Sequence, residues 1–215
     1  MLDRLLGRQS TLVEAAFRDL SVMLEESQKM YRLAVRSLLE NEPLEADLRD
    51  LDDIVDDSER MVRRTVLQHL TMNPGHDLVT CLSLISIVQD AERIGDFARG
   101  LAEIVDLADQ PRSGPFVDRL RDKAERVDLL FDDCEKAYVG DDASLAASVV
   151  DRAAGLKAEL MEITADVARS EVGANRAVVY VGTARILRRI SAHLSNICST
   201  LTQPFDRIRH GDETA

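Results

Sequence analysis

Apolar residues recur along the chain at intervals of three and four, the period of a helix face, and clusters of turn-forming residues cut this pattern into six long segments. The breaks fall at Pro43, Asn73-Pro74-Gly75-His76, Gln110-Pro111-Arg112-Ser113-Gly114-Pro115, Gly140-Asp141-Asp142 and Val172-Gly173-Ala174-Asn175. The spacing predicts helices over 2–41, 44–72, 77–108, 116–139, 142–171 and 175–206. In the second, Leu44, Leu48, Leu51, Val55, Ser58 and Val62 form one stripe. In the third, the stripe runs from Cys81 and Leu84 through Val88, Ala91, Gly95 and Ala98 to Ala102 and Val105, with residues small enough for close helix approach. The fifth carries Leu145, Val149, Leu156 and Leu160. Short connections make successive long helices antiparallel neighbours. The pattern therefore predicts an all-α fold of six long antiparallel helices.

The longer break near 111 divides these helices three and three. A shift of 101 residues lays Leu44, Leu48 and Val55 on Leu145, Val149 and Leu156. We expect two tandem three-helix bundles, residues 1–110 and 111–215, related by duplication. The polar end 207–215 reads as a frayed tail, and Leu2, Leu5 and Leu6 with Arg4 and Arg8 as a short amphipathic start that packs on the bundle.

Composition agrees with helix and narrows the function classes. Of 215 residues, 10 are Gly and 5 Pro, aromatics make up 4%, and Trp is absent. A net charge of -12 argues against nucleic acid as the main partner, because duplex binding needs a basic surface to neutralise phosphates. No run of about 18 apolar residues suggests a membrane span, and the N-terminus has no signal-peptide core. We therefore expect a cytoplasmic protein with no stable membrane insertion. Cys81, Cys134 and Cys198 lie far apart in apolar helical stretches and read as buried, reduced thiols.

The charge is uneven. Residues 1–110 carry 12 basic and 22 acidic side chains, a net of -10, whereas residues 111–215 carry 15 and 17, a net of -2. In the second helix, Asp52, Asp56 and Glu59 stand at i, i+4 and i+7, and in the third Glu92 and Asp96 stand at i and i+4. Like charges four apart cost a helix a few tenths of a kcal/mol per pair, so two such strips call for a counter-charge. Three readings remain open on spacing alone: a solvated acidic face, pairing with Arg60, Arg63, Arg64 and Arg93, or an oxygen-rich site for a hard cation.

Familiar catalytic patterns are missing. None of His69, His76, His193 or His210 has a Glu three residues before it, which excludes the di-iron carboxylate bundle signature. There is no Gly-rich phosphate loop, Cys-x-x-Cys pair or nucleophile elbow. His76 and Asp77 read as a turn and helix N-cap, and His193 and Asn196 as hydrogen-bonded packing residues. The chain is expected not to be an enzyme.

The string Asp90-Ala91-Glu92-Arg93-Ile94-Gly95-Asp96 resembles the signature of the PhoU-like phosphate-uptake regulators, and Asp52-x-x-x-Asp56 with Glu59 resembles its upstream partner motif. The resemblance implies two repeats of a three-helix bundle, with carboxylate motifs on two helices of each. It also implies a cytoplasmic negative regulator that links a phosphate transporter to a sensor kinase at the membrane, and one or more bound metal ions (Fe, Mn, Mg, Zn or Ca) held by Asp52, Asp56, Glu59, Glu92 and Asp96. A homodimer is expected. The alternative is a metal-free, dimeric helical scaffold.

The second half departs from the motif. The 101-residue shift sets Ala153, Lys157 and Leu160 against Asp52, Asp56 and Glu59, and aligning Arg189-Ile190 with Arg93-Ile94 sets Arg188 and Ala192 against Glu92 and Asp96. A cation beside Lys157 and Arg188 would meet repulsion and lack ligands, so metal is expected in the first half only. Lys157 and Arg188 are expected to pair with Glu159 and nearby acids. These five matched positions carry -5 in one half and +2 in the other, nearly the whole difference between the halves.

Overall fold

The computed structural model describes residues 11–44 and 46–204, so the amphipathic start at Leu2–Arg8, Glu45 and the polar tail lie outside the described residues. Six helices follow one another: α1 (Thr11–Leu39), α2 (Leu48–Met72), α3 (Leu78–Leu107), α4 (Pro115–Gly140), α5 (Ala143–Arg169) and α6 (Ala174–Thr202). Among the described residues there is no strand, and no helix is long and apolar enough to cross a membrane.

Helices α1, α2 and α3 pack on one another, as do α4, α5 and α6, and the two three-helix bundles meet along α1·α4 and α3·α6. The expected stripes face inward: Val55, Val62, Leu84, Val88, Ala98, Val149 and Leu156 are all buried. So are Cys81, Cys134 and Cys198, all as free thiols. At Cys134 a contact with Cys198 and burial push the thiol well above its usual range, which keeps it protonated.

The start of α2 is a correction. The helix begins at Leu48 rather than 44 because Asp47 is its N-cap, its carboxylate accepting a hydrogen bond from the Arg49 amide at 3.0 Å. Leu44 precedes the helix and is 41% exposed, so it does not extend the stripe. Asp142 caps α5 in the same way, accepting from the amides of Ser144 and Leu145 at 2.9 Å.

Polar contacts across the seam tie off helix ends that would otherwise expose unpaired carbonyls. Arg112, from the α3–α4 connection, donates to the Leu38 carbonyl at 2.7 Å and to that of Ser37, while Arg121 of α4 donates to Leu39 at 3.0 Å. Asn175 of α6 donates to the Leu107 carbonyl at the end of α3 at 2.7 Å. Along α1·α4, buried Tyr31 donates its hydroxyl to the Ala124 carbonyl at 2.8 Å and packs against Phe131 at 5.4 Å.

Candidate functional site

The acidic strips of α2 and α3 lie along the seam between those helices. Gly95 lets α3 come close at this level: a Cβ there would stand 3.3 Å from Ser27 Oγ and 3.4 Å from both Met30 Cε of α1 and Val55 Cγ1 of α2. Burial of Val55 and Ile94 orients the two helices, and Asp52, Asp56, Glu59, Glu92 and Asp96 are left as partly exposed groups at the edge of the core. Asp52 is the most enclosed of the five, its side chain 17% exposed.

Burial acts first on the charge of these groups. Removal from water raises the Asp52 carboxyl above its ordinary range, and Asp56, Asp96 and Asp53 add to the rise while Arg99 opposes it. Glu92 is likewise raised by burial, then by Asp96, Glu59 and Asp56, with Arg93 opposing. The strips of the two helices therefore feel one another across the seam.

Arginines supply part of the counter-charge. Arg60 pairs with Asp57 at 2.6 Å and Asp56 at 3.4 Å, Arg63 with Glu59 at 2.6 Å, and Arg93 with Glu92 at 3.7 Å, all within one helix. Arg64 has no ion pair among the described residues. The residue missed by sequence reasoning is Arg99. Its guanidinium donates to Asp96 Oδ1 at 2.9 Å and also to Asp52 Oδ2 on α2, so it bridges the two helices. The Asp96–Arg99 spacing of three was visible in the sequence. The reach to Asp52 was not, because it depends on how α2 and α3 are rotated against each other.

Every donor at the seam is a hard carboxylate oxygen, which suits a hard cation, and Arg99 already stands there as a positive group. Among the described residues, however, no three carboxylate, imidazole or thiolate side chains are grouped as ligands of one ion. The donor chemistry suits a hard cation, but the described side chains are not grouped to hold one, and Arg99 bridges Asp52 and Asp96 instead.

The remaining sequence candidates fall elsewhere. Asp90 turns away from the strip and is buried, accepting on Oδ1 from His193 Nδ1 at 2.7 Å and Asn196 Nδ2 at 2.9 Å, both on α6. His193 and Asn196 are thus packing residues, as expected. Asp77 occupies the N-cap position of α3, but its carboxylate makes no cap hydrogen bond and instead lies 3.5 Å from His69 Nε2. Glu159 is bound not by Lys157 but by Lys123 and Arg126 of α4, with Arg126 at 2.7 and 2.8 Å, and these hydrogen bonds hold its carboxyl down to about 2. Neither Lys157 nor Arg188 makes an ion pair among the described residues.

Residues 20–105 match the family model of the PhoU domain. The stretch contains all five carboxylates and Arg99. The fold is similar to the phosphate transport system regulatory protein PhoU from Streptococcus pneumoniae, at 16% identity and a TM-score of 0.76, covering 88% of this chain and 92% of that one. It is also similar to PhoU from Pseudomonas aeruginosa, at 24% identity and a TM-score of 0.80, covering 88% and 95%. No curated protein matches the sequence. The chain is thus PhoU-like in fold over most of its length, and the likeness read from its acidic strings extends to the domain that contains them.

Proposed function

We propose that this protein is a non-enzymatic, cytoplasmic regulatory adaptor that restrains phosphate uptake, docking as a homodimer on a phosphate transporter, a sensor kinase or both. In this reading its first bundle binds one or more hard, oxygen-ligated metal ions through Asp52, Asp56, Glu59, Glu92 and Asp96. The second bundle is a duplicate in which the matched positions no longer serve as ligands. The observation that carries it is the PhoU domain match over residues 20–105, which encloses both carboxylate strips. The raised carboxyls of Asp52 and Glu92 add support, since a bound cation would relieve the repulsion and burial that raise them. Bound metal would supply positive charge there and join α2 to α3.

The metal-free scaffold is retained as a second reading because Arg99 gives Asp52 and Asp96 a counter-charge without any ion. Elemental analysis after reconstitution with Mn(II) or Fe(III), on wild type, Asp52→Ala and Asp96→Ala, separates the two. The adaptor reading expects metal in the wild type, at least a fivefold lower content in each variant, and a higher melting temperature on loading, because a ligand that binds the native state stabilises it. Equal metal in all three proteins rejects the site. Phosphate uptake by cells lacking the protein should stay high when phosphate is plentiful, and unaltered uptake rejects the regulatory role.

A further inference from the structure

We propose that the end of the α2–α3 hairpin is the face on which a second copy of this chain docks, about a two-fold axis that sets Leu67 of one copy against Leu67 of the other. The inference rests on the homodimer in the reading above and gives it an interface, with no part for metal.

Charged residues make up 31% of the chain, yet across residues 65–89 Asp77 is the only Asp, Glu, Lys or Arg. Five apolar side chains of this stretch stand in water: Leu67, Met72, Leu78, Val79 and Leu82, from 39% exposed at Leu82 to 68% at Leu67. They form one patch. Val55 of α2 lies beside Gly95 of α3, and His69 Nε2 lies 3.5 Å from Asp77. In this antiparallel register Leu67 stands level with Val79 and Leu82, while Met72 and Leu78 flank the connection between the helices. Single exposed apolar residues are ordinary, but a contiguous group of them marks an interaction site.

Charge selects the occupant. A two-fold contact places the same patch on both copies, so any charge near the axis meets its own like. Residues 1–110 carry a net charge of -10, and a contact through the carboxylate strips of α2 and α3 would set acid against acid. The hairpin end avoids that repulsion, and its two edges are complementary. Arg64, which makes no ion pair among the described residues, borders the patch along α2. Asp77 borders it on the far side, beside His69. Leu67 lies between them, so a two-fold axis there turns Arg64 of each copy toward Asp77 of the other. A lipid surface fits less well. Helices that lie on membranes carry Lys or Arg, with Trp or Phe among the apolar residues, and residues 65–89 hold none of these. The negative charge of the first half would also oppose an anionic surface.

Sedimentation equilibrium of the full chain at micromolar concentration tests the interface, in wild type, Leu67→Glu, Leu67→Lys and Val139→Glu. Val139 is the control, an exposed apolar residue on α4, and far-UV circular dichroism checks that all four proteins keep their helices. Wild type should be a dimer. Leu67→Glu and Leu67→Lys should each associate at least about a hundredfold more weakly, because each dimer loses two apolar contacts and sets like charges together. An equal mixture of the two should form the dimer again, since Glu then meets Lys at the axis. Val139→Glu should change the association by less than about twofold. A dimer that survives in both Leu67 variants overturns this interface and leaves the homodimer standing. Variants that stay monomeric when mixed overturn the axis at Leu67. A monomeric wild type overturns both the interface and the homodimer. If that monomer pellets with phosphatidylglycerol vesicles and Leu67→Glu does not, the patch belongs to lipid and the proposal falls.

Discussion

Asp90 and Glu92 are two residues apart in one short acidic string, yet they serve different seams. Two residues turn a helix by about 200°, so one side chain faces the second bundle and the other faces α2. Asp90 is 5% exposed and receives hydrogen bonds from His193 and Asn196. Among the described residues its Oδ2 and the His193 Nε2 have no hydrogen-bond partner, so the pair is held by few bonds, and each one matters. Removing Asp90 leaves the buried His193 ring and the Asn196 amide without the oxygen they bond. Asp90→Ala should therefore cost about 1–3 kcal/mol, the usual penalty for buried polar groups left unpaired. Urea unfolding measures it, and a loss below about 1 kcal/mol would show that the pair is not a structural lock. The i, i+4 spacing revealed which acids share a face, but it could not reveal their partners. Lys157 and Glu159 show the same limit, because residues two apart on a helix do not face each other, and Glu159 instead meets Lys123 and Arg126 of α4.

At the scale of the helix, the sequence located all six elements because each break holds residues that end helices for chemical reasons. Pro115 opens α4 where its missing amide costs nothing, and Asp141 and Asp77 take left-handed turn conformations at the breaks that were read from the sequence. The start of α2 was less legible, since Leu44 fits the apolar period while Asp47 decides the boundary by capping. Gly95 was legible as a small residue in a stripe, and the structure shows what that smallness does. It brings α3 near enough to α1 and α2 for the Asp52–Arg99–Asp96 bridge to form. Gly95→Ala trades a gain in helix propensity of about 1 kcal/mol against contacts at 3.3–3.4 Å, so it should be close to neutral. Gly95→Leu has no room and should destabilise by about 1–3 kcal/mol, the usual cost of overpacking. It should also weaken Mn(II) binding by spreading the two carboxylate strips. Retained stability with unchanged metal affinity would show that the α2–α3 approach does not depend on this glycine.

At the scale of the molecule, the arithmetic of charge, with -10 in one half and -2 in the other, suggests two bundles that behave as separate units. The contacts argue for one unit. Tyr31 of α1 is buried against α4, the ends of α1 and α3 are tied off by residues from beyond the break near 111, and Asp90 is paired with α6. Gln28 adds a bond to Asp132 at 2.8 Å and Arg32 one to Asp128 at 2.7 Å, so the cross-bundle contacts are both apolar and polar. Either bundle unfolding alone would expose these groups on its neighbour, which couples the two equilibria. The metal-free protein should therefore unfold in a single calorimetric transition whose calorimetric and van't Hoff enthalpies agree. Tyr31→Ala, which removes a buried aromatic from the seam, should destabilise by about 3–5 kcal/mol. It should also split or broaden that transition, because it weakens the coupling as well as the first bundle. A core substitution remote from the seam, such as Val62→Ala beneath α2, should lower the same transition without dividing it. Two resolved transitions in the wild type would mean that the bundles fold independently and that the seam carries too little free energy to join them.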